Sequence, residues 1–157
     1  MPAALLVFSQ RDDARIDADA WNAQAERFFA ARIGLAEEKR AVPGPPPRTE
    51  DARFVVAPNA EPPGIRAVSA APRQDADLAL ALEAEAAAGG GGLADLARRC
   101  PIVWRVAREH DDDPLALLLA AILASVLLGP IVDPGPVVPQ IFGVKTARVK
   151  LETLSRR

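Results

Sequence analysis

One cysteine, one histidine and no tyrosine occur in 157 residues, and each scarcity closes off a class of chemistry. The lone Cys100 excludes an internal disulfide and any C-x-x-C pair, and it suits a reducing compartment. The lone His110 is all that a histidine-dependent nucleophile scheme has to work with, beside Cys100 or a serine such as Ser9, Ser69 or Ser125. No G-x-S-x-G elbow frames those serines and no H-E-x-x-H is present, so no catalytic residue is assigned. Lysine is confined to Lys39, Lys145 and Lys150, and the formal net charge is −2. Without a basic face or stripe there is no electrostatic case for nucleic acid. The basic cluster Lys145, Arg148, Lys150, Arg156 and Arg157 reads as a solvated tail.

Aromatics make up only 4% of the chain, so the core must be mostly aliphatic, helped by Trp21, Phe28, Phe29, Phe54, Trp104 and Phe142. The opening MPAALLVFSQRDD lacks a basic start and its apolar run is too short for a signal peptide, which leads us to expect a cytoplasmic protein. Arginine in place of lysine, with abundant Ala and Pro, fits a GC-rich bacterial genome.

What the chain does have is one long uncharged stretch, Pro114 to Val132, PLALLLAAILASVLLGPIV. Asp113 and Pro114 read as a helix start, because Asp accepts from free first-turn N–H groups and Pro is preorganised at the first position. Gly129-Pro130 stops it. A helix from Pro114 to Leu128 is about 22 Å long, short of the roughly 30 Å of a bilayer core. The flanks carry Arg98, Arg99, Arg105 and Arg108 on one side and Lys145, Arg148 and Lys150 on the other, so no positive bias orients a span. A buried core helix is the favoured reading, with an inner-membrane segment at Pro114 to Val132 as the alternative.

In chain order, Ala3 to Phe8 reads as a buried strand. A helix capped by Asp17 or Asp19 follows to Ile33 and stops at Gly34, with Trp21, Ala25, Phe28, Phe29 and Ile33 as its core stripe. Val42 to Pro47 is a stiff proline-rich connection, or a polyproline ligand for a partner domain. Arg53 to Ala57 and Ile65 to Ser69 suggest a loose hairpin across Pro58 to Gly64. Helices are expected at Asp75 to Ala88 and Leu93 to Arg99, a strand at Pro101 to Ala107, turns over Pro130 to Pro139 and a last, bulged strand over Phe142 to Leu151.

Two clusters invite a chemical reading. Gly89 to Ala94 satisfies a GxGxxA pattern, but it follows an Ala/Leu/Glu helix instead of a strand, so it reads as a helix breaker. The run Glu109-His110-Asp111-Asp112-Asp113 lies between a strand and a helix, a position where open parallel sheets gather ligands. His110, Asp111 and Asp113, with Asp133 from elsewhere, form the candidate metal site; the plainer reading is an acidic helix start. Cys100, beside Arg98 and Arg99, reads as buried packing in preference to an activated thiol.

The expectation is therefore a single small α+β (or α/β) domain over residues 1–157. It has four to five short strands against an apolar central helix and two to three amphipathic helices, with proline-rich connections near 42–49, 58–64 and 130–139. Its expected role is a cytoplasmic protein-binding domain without catalytic activity or cofactor: an adaptor, an inhibitor or immunity-type protein, or an accessory subunit. The alternatives are a metal-dependent enzyme or ligand binder at His110 to Asp113, and a single-pass membrane accessory protein.

Overall fold

A computed structural model describes residues 2–39 and 43–156. Val42, at the head of the first proline-rich connection, and Arg157 lie outside the described residues. Within them the chain runs β1 (Leu5–Ser9), α1 (Ala18–Phe28), β2 (Ala31–Leu35), β3 (Glu50–Pro58), β4 (Gly64–Pro72), α2 (Asp75–Ala87), α3 (Leu93–Arg98), β5 (Ile102–Val106), α4 (Pro114–Leu127), β6 (Ile131–Asp133), β7 (Gln140–Phe142) and α5 (Val144–Ser155). The strands form one sheet in the order β2-β3-β4-β5-β1-β6-β7, and every neighbouring pair is antiparallel. The class is α+β. The parallel-sheet argument for a ligand site after β5 therefore does not apply.

Side-chain alternation shows how the sheet is covered. In β1, Leu5 and Val7 join a core with α1, α4 and α5, whereas Leu6 and Phe8 face Ala81 and Ala97 of α2 and α3. Both faces are covered there, which explains the uninterrupted apolar sequence of β1. In β3 and β4 buried and open positions alternate, as a sheet covered on one face requires. These two strands form the expected hairpin, in the register Phe54↔Arg66 and Val56↔Gly64.

α4 lies at the centre of the larger core, against β1, α1 and α5, and ten of its side chains from Ala116 to Leu127 are buried. The Asp113 side chain caps it by accepting from the Ala116 N–H at 3.2 Å. Leu128 ends it in the left-handed conformation at φ 60°. The chain then crosses directly over β1, where Phe8 N–H donates to Pro130 O and Gln10 N–H to Leu127 O, both at 3.0 Å. Among the described residues no helix is long and apolar enough to cross a membrane. The stretch Pro114 to Val132 is a core helix, a turn and the start of β6, not a span.

Three expectations are corrected. The first helix ends at Phe28, five residues early, and Ile33 belongs to β2, paired with Val56. Its stripe survives only in part: Trp21 and Ala25 are buried, but Phe28 is 45% exposed. The strand expected over Phe142 to Leu151 is mostly α5, and its apparent phase break is the helical period of Val144, Ala147, Leu151 and Leu154 packing inward. Strands number seven among the described residues, not four to five, because β2 and the short β6 and β7 escaped a reading based on longer apolar runs.

Candidate functional site

The acidic run after β5 folds into a loop held by two buried arginines. Arg66 points into the core from β4 and its guanidinium meets Asp113 side-on: Nε donates to Oδ2 at 2.7 Å and Nη2 to Oδ1 at 3.0 Å. Asp113 also accepts from the backbone N–H groups of Glu109, at 2.9 Å, and Ala116. Burial pushes the Asp113 carboxyl up, but the Arg66 guanidinium and these N–H donors outweigh it and hold it below the ordinary carboxylate value. The Asp113 carboxylate in turn raises Arg66.

Arg108 is equally buried. Its Nε donates to Ala3 O at 2.6 Å, Nη1 to Asp111 O at 3.2 Å and Nη2 to Asp133 Oδ1 at 2.8 Å. Asp133 is thereby tied to the acidic loop through Arg108. Of the candidate ligands, Asp111, Asp113 and Asp133 line one open cavity of about 550 Å³. His110 is not among its lining residues and is exposed. Among the described residues no group of three or more His, Cys, Asp or Glu side chains is placed to hold a metal ion.

The cavity has an apolar floor of Leu5, Leu117 and Phe142 and a wall from α5 that includes Val149, Lys150 and Thr153. A polar row crosses it. Asp111 is linked through Arg108 to Asp133, Asp133 pairs across the strands with Gln140, and Lys150 Nζ donates to Gln140 Oε1 at 2.8 Å. Lys150 also sits 5.0 Å from the Phe142 ring centre.

Above this row stands the β6–β7 connection, Pro134-Gly135-Pro136-Val137-Val138-Pro139. Gly135 adopts φ +62° and donates to Asp133 Oδ1 at 2.8 Å. A Cβ there would meet Val138 O at 2.6 Å, so the tip is closed down tightly on itself. It presents Val137 at 88% exposure and Val138 at 51%, with Val149 of α5 at 57% beside the same cavity.

The remaining candidates resolve simply. Gly89 to Gly92 all adopt positive φ and separate α2 from α3, the helix-breaking role. Cys100 is fully buried, donates to Leu96 O at 3.2 Å, and burial pushes its thiol up to about 11 against the weaker pull of Arg73. Arg98 and Arg99 do not activate it.

Sequence reasoning singled out neither Arg66 nor Arg108 as a site residue. A signal existed for Arg66: it shares the core-facing phase of Val68 and Ala70, and a cation in that phase demands a buried acid.

Fold and site together define an α+β protein with an antiparallel sheet, an arginine-locked acidic loop and an apolar rim beside a cavity. Compared with protein-family models, with curated proteins and with solved structures, the chain matches none, so the reading of the site rests on its own residues.

Proposed function

We propose that the protein is a small protein-binding domain without catalytic activity of its own, acting as an adaptor, an inhibitor or immunity-type protein, or an accessory subunit. The observation that carries this reading is the exposure of Val137, Val138 and Val149, at 88%, 51% and 57%, of which Val138 and Val149 line a cavity with an apolar floor and Val137 adjoins Val138 on the tip. Isolated exposed valines are ordinary, but adjacent ones held on a tightly closed tip form a contiguous apolar patch of the kind that marks interaction sites. Two of the charges that suggested chemistry are spent internally, Asp113 on Arg66 and Asp133 on Arg108. The buried free thiol of Cys100 suits the cytoplasm as its location.

Affinity purification of the tagged chain from its native host tests this reading. One protein should co-purify in stoichiometric amount and be lost with Val137→Asp/Val138→Asp, while thermal unfolding stays as in the parent. Retention of every co-purifying protein by that variant would count against the surface.

A second reading, ligand binding, is favoured by the cavity itself: about 550 Å³ is within the roughly 300–1,000 Å³ of small-molecule sites. Thermal shift against divalent cations and small amphipathic anions and cations checks it, and no response to any of them removes it.

A further inference from the structure

We infer that the surface made by the β6–β7 tip and the cavity is closed by the same surface of a second copy of this chain, related by a two-fold axis, with Val137 of each copy seated in the cavity of the other. This rests on the protein-binding reading above and names the partner.

A two-fold interface must be complementary to itself. The surface meets that demand in shape, because a convex apolar tip stands beside a concave apolar floor on the same face. It also meets it in charge. The polar row runs from the acidic loop at Asp111, through Arg108, Asp133 and Gln140, to Lys150 on α5. One end is acidic and the other basic. A half-turn about an axis through the middle of the row lays Asp111 of each copy against Lys150 of the other, giving two ion pairs at the rim and apolar contact between them. A wholly acidic partner would be opposed at Asp111, and a wholly basic one at Lys150. A partner carrying both signs in reversed order fits, and the chain itself supplies that order. A standard interface takes about 800 Å² from each partner, roughly a tenth of the 8692 Å² surface of this molecule.

The test is sedimentation equilibrium of the purified full chain from about 1 to about 200 μM, a range that brackets micromolar association. The expected result is a concentration-dependent dimer. Val137→Asp/Val138→Asp should leave a folded monomer across the range, with the unfolding midpoint of the parent measured at dilutions where it is monomeric. Lys150→Glu and Asp111→Lys should each weaken the dimer about tenfold, since each removes two rim pairs and adds repulsion. The charge-swapped Asp111→Lys/Lys150→Glu chain should recover most of the loss, which separates a true contact from a folding defect.

A parent chain that stays monomeric at the highest concentration overturns the inference, as does a dimer indifferent to all four variants. Failure of the underlying reading looks different. If the parent is monomeric and Val137→Asp/Val138→Asp still strips a specific host protein from the purification, the second copy is wrong and protein binding stands. If the parent is monomeric and nothing is stripped, both fall.

Discussion

Arg66 occupies a position that the strand pattern reserves for the core, and the structure tolerates it because Asp113 accepts from both its Nε and its Nη2. Removing one partner of such a pair leaves a buried charge without compensation, which costs about 3–5 kcal/mol. Asp113→Asn is expected to cost an amount of that order, measured as the urea midpoint at neutral pH. The acid side of the stability profile should change with it. The folded carboxyl is held below its unfolded value of about 3.9, so the unfolded state binds more protons as pH falls. The contribution is whole above about pH 4 and is lost as pH drops through the folded value. The Asn variant should show a shallower decline there, and an identical slope in both proteins would assign acid sensitivity to other groups. Gly129 is the second decisive residue. A Cβ on it would stand 1.8 Å from Phe8 O, where the end of α4 crosses β1. Gly129→Ala must break the Phe8 and Gln10 backbone bonds and is expected to cost more than about 3 kcal/mol. Gly34→Ala is the control: nothing lies within 4 Å of its Cβ, and relief of unfolded-chain entropy should leave it neutral or better by about 0.5 kcal/mol.

At the scale of elements, legibility followed the strength of the local signal. α4 announced itself through Asp113-Pro114 and Gly129-Pro130, and the structure ends it within a residue of that reading. The α2–α3 break is visible in four successive glycines. The α1–β2 boundary is not, because no glycine or proline marks it. The chain turns at Ala30 with φ 49°, a conformation costly for any residue with a Cβ, and Asn22 of α1 then accepts the Ile33 N–H at 2.9 Å. Tertiary pairing with β3 outweighs the local cost. Ala30→Gly should therefore stabilise the protein by about 0.5–1 kcal/mol, seen as a rise of about 2 °C in melting temperature. A fall would mean that the turn is not strained. α5 was hidden by Val144, Thr146, Val149 and Leu151, which imitate a strand. Its helical period appears only when Ala147 and Leu154 are counted, and both alanine and a chain-terminal leucine carry little weight in such a reading. The candidate site was half legible. The acidic loop and Asp133 were found, but the arginines that organise them were not, since their partners lie 47 and 25 residues away in sequence.

For the molecule as a whole, β1 holds the sheet together from its interior. It pairs with β5 on one side, where Leu5 faces Val106, and with β6 on the other, where Leu6 faces Val132. Both partners come from the far half of the chain, so β1 is placed through contacts of long sequence separation. Closing that long loop before any contact rewards it is the slow kind of step in folding. Coverage of the sheet is uneven too. The smaller core seals the second face over β1, β5 and β6, while on β3 and β4 that face holds Arg53, Ile65 and Ala67 in the open. Opening free energy should follow coverage, because amides under two packed faces exchange only when a large part of the fold opens. Hydrogen exchange of the intact protein is expected to be slowest in β1 and β5, intermediate in β3 and β4, and fastest in β2 and β7 at the two edges. The dimer proposed above makes this pattern depend on concentration. Raising the protein from about 1 to about 200 μM should slow β7, the β6–β7 tip and the second half of α5, and leave β2 at the opposite edge unchanged. Slowing confined to β2 instead would place self-association on the uncovered half of the sheet and take the tip out of it.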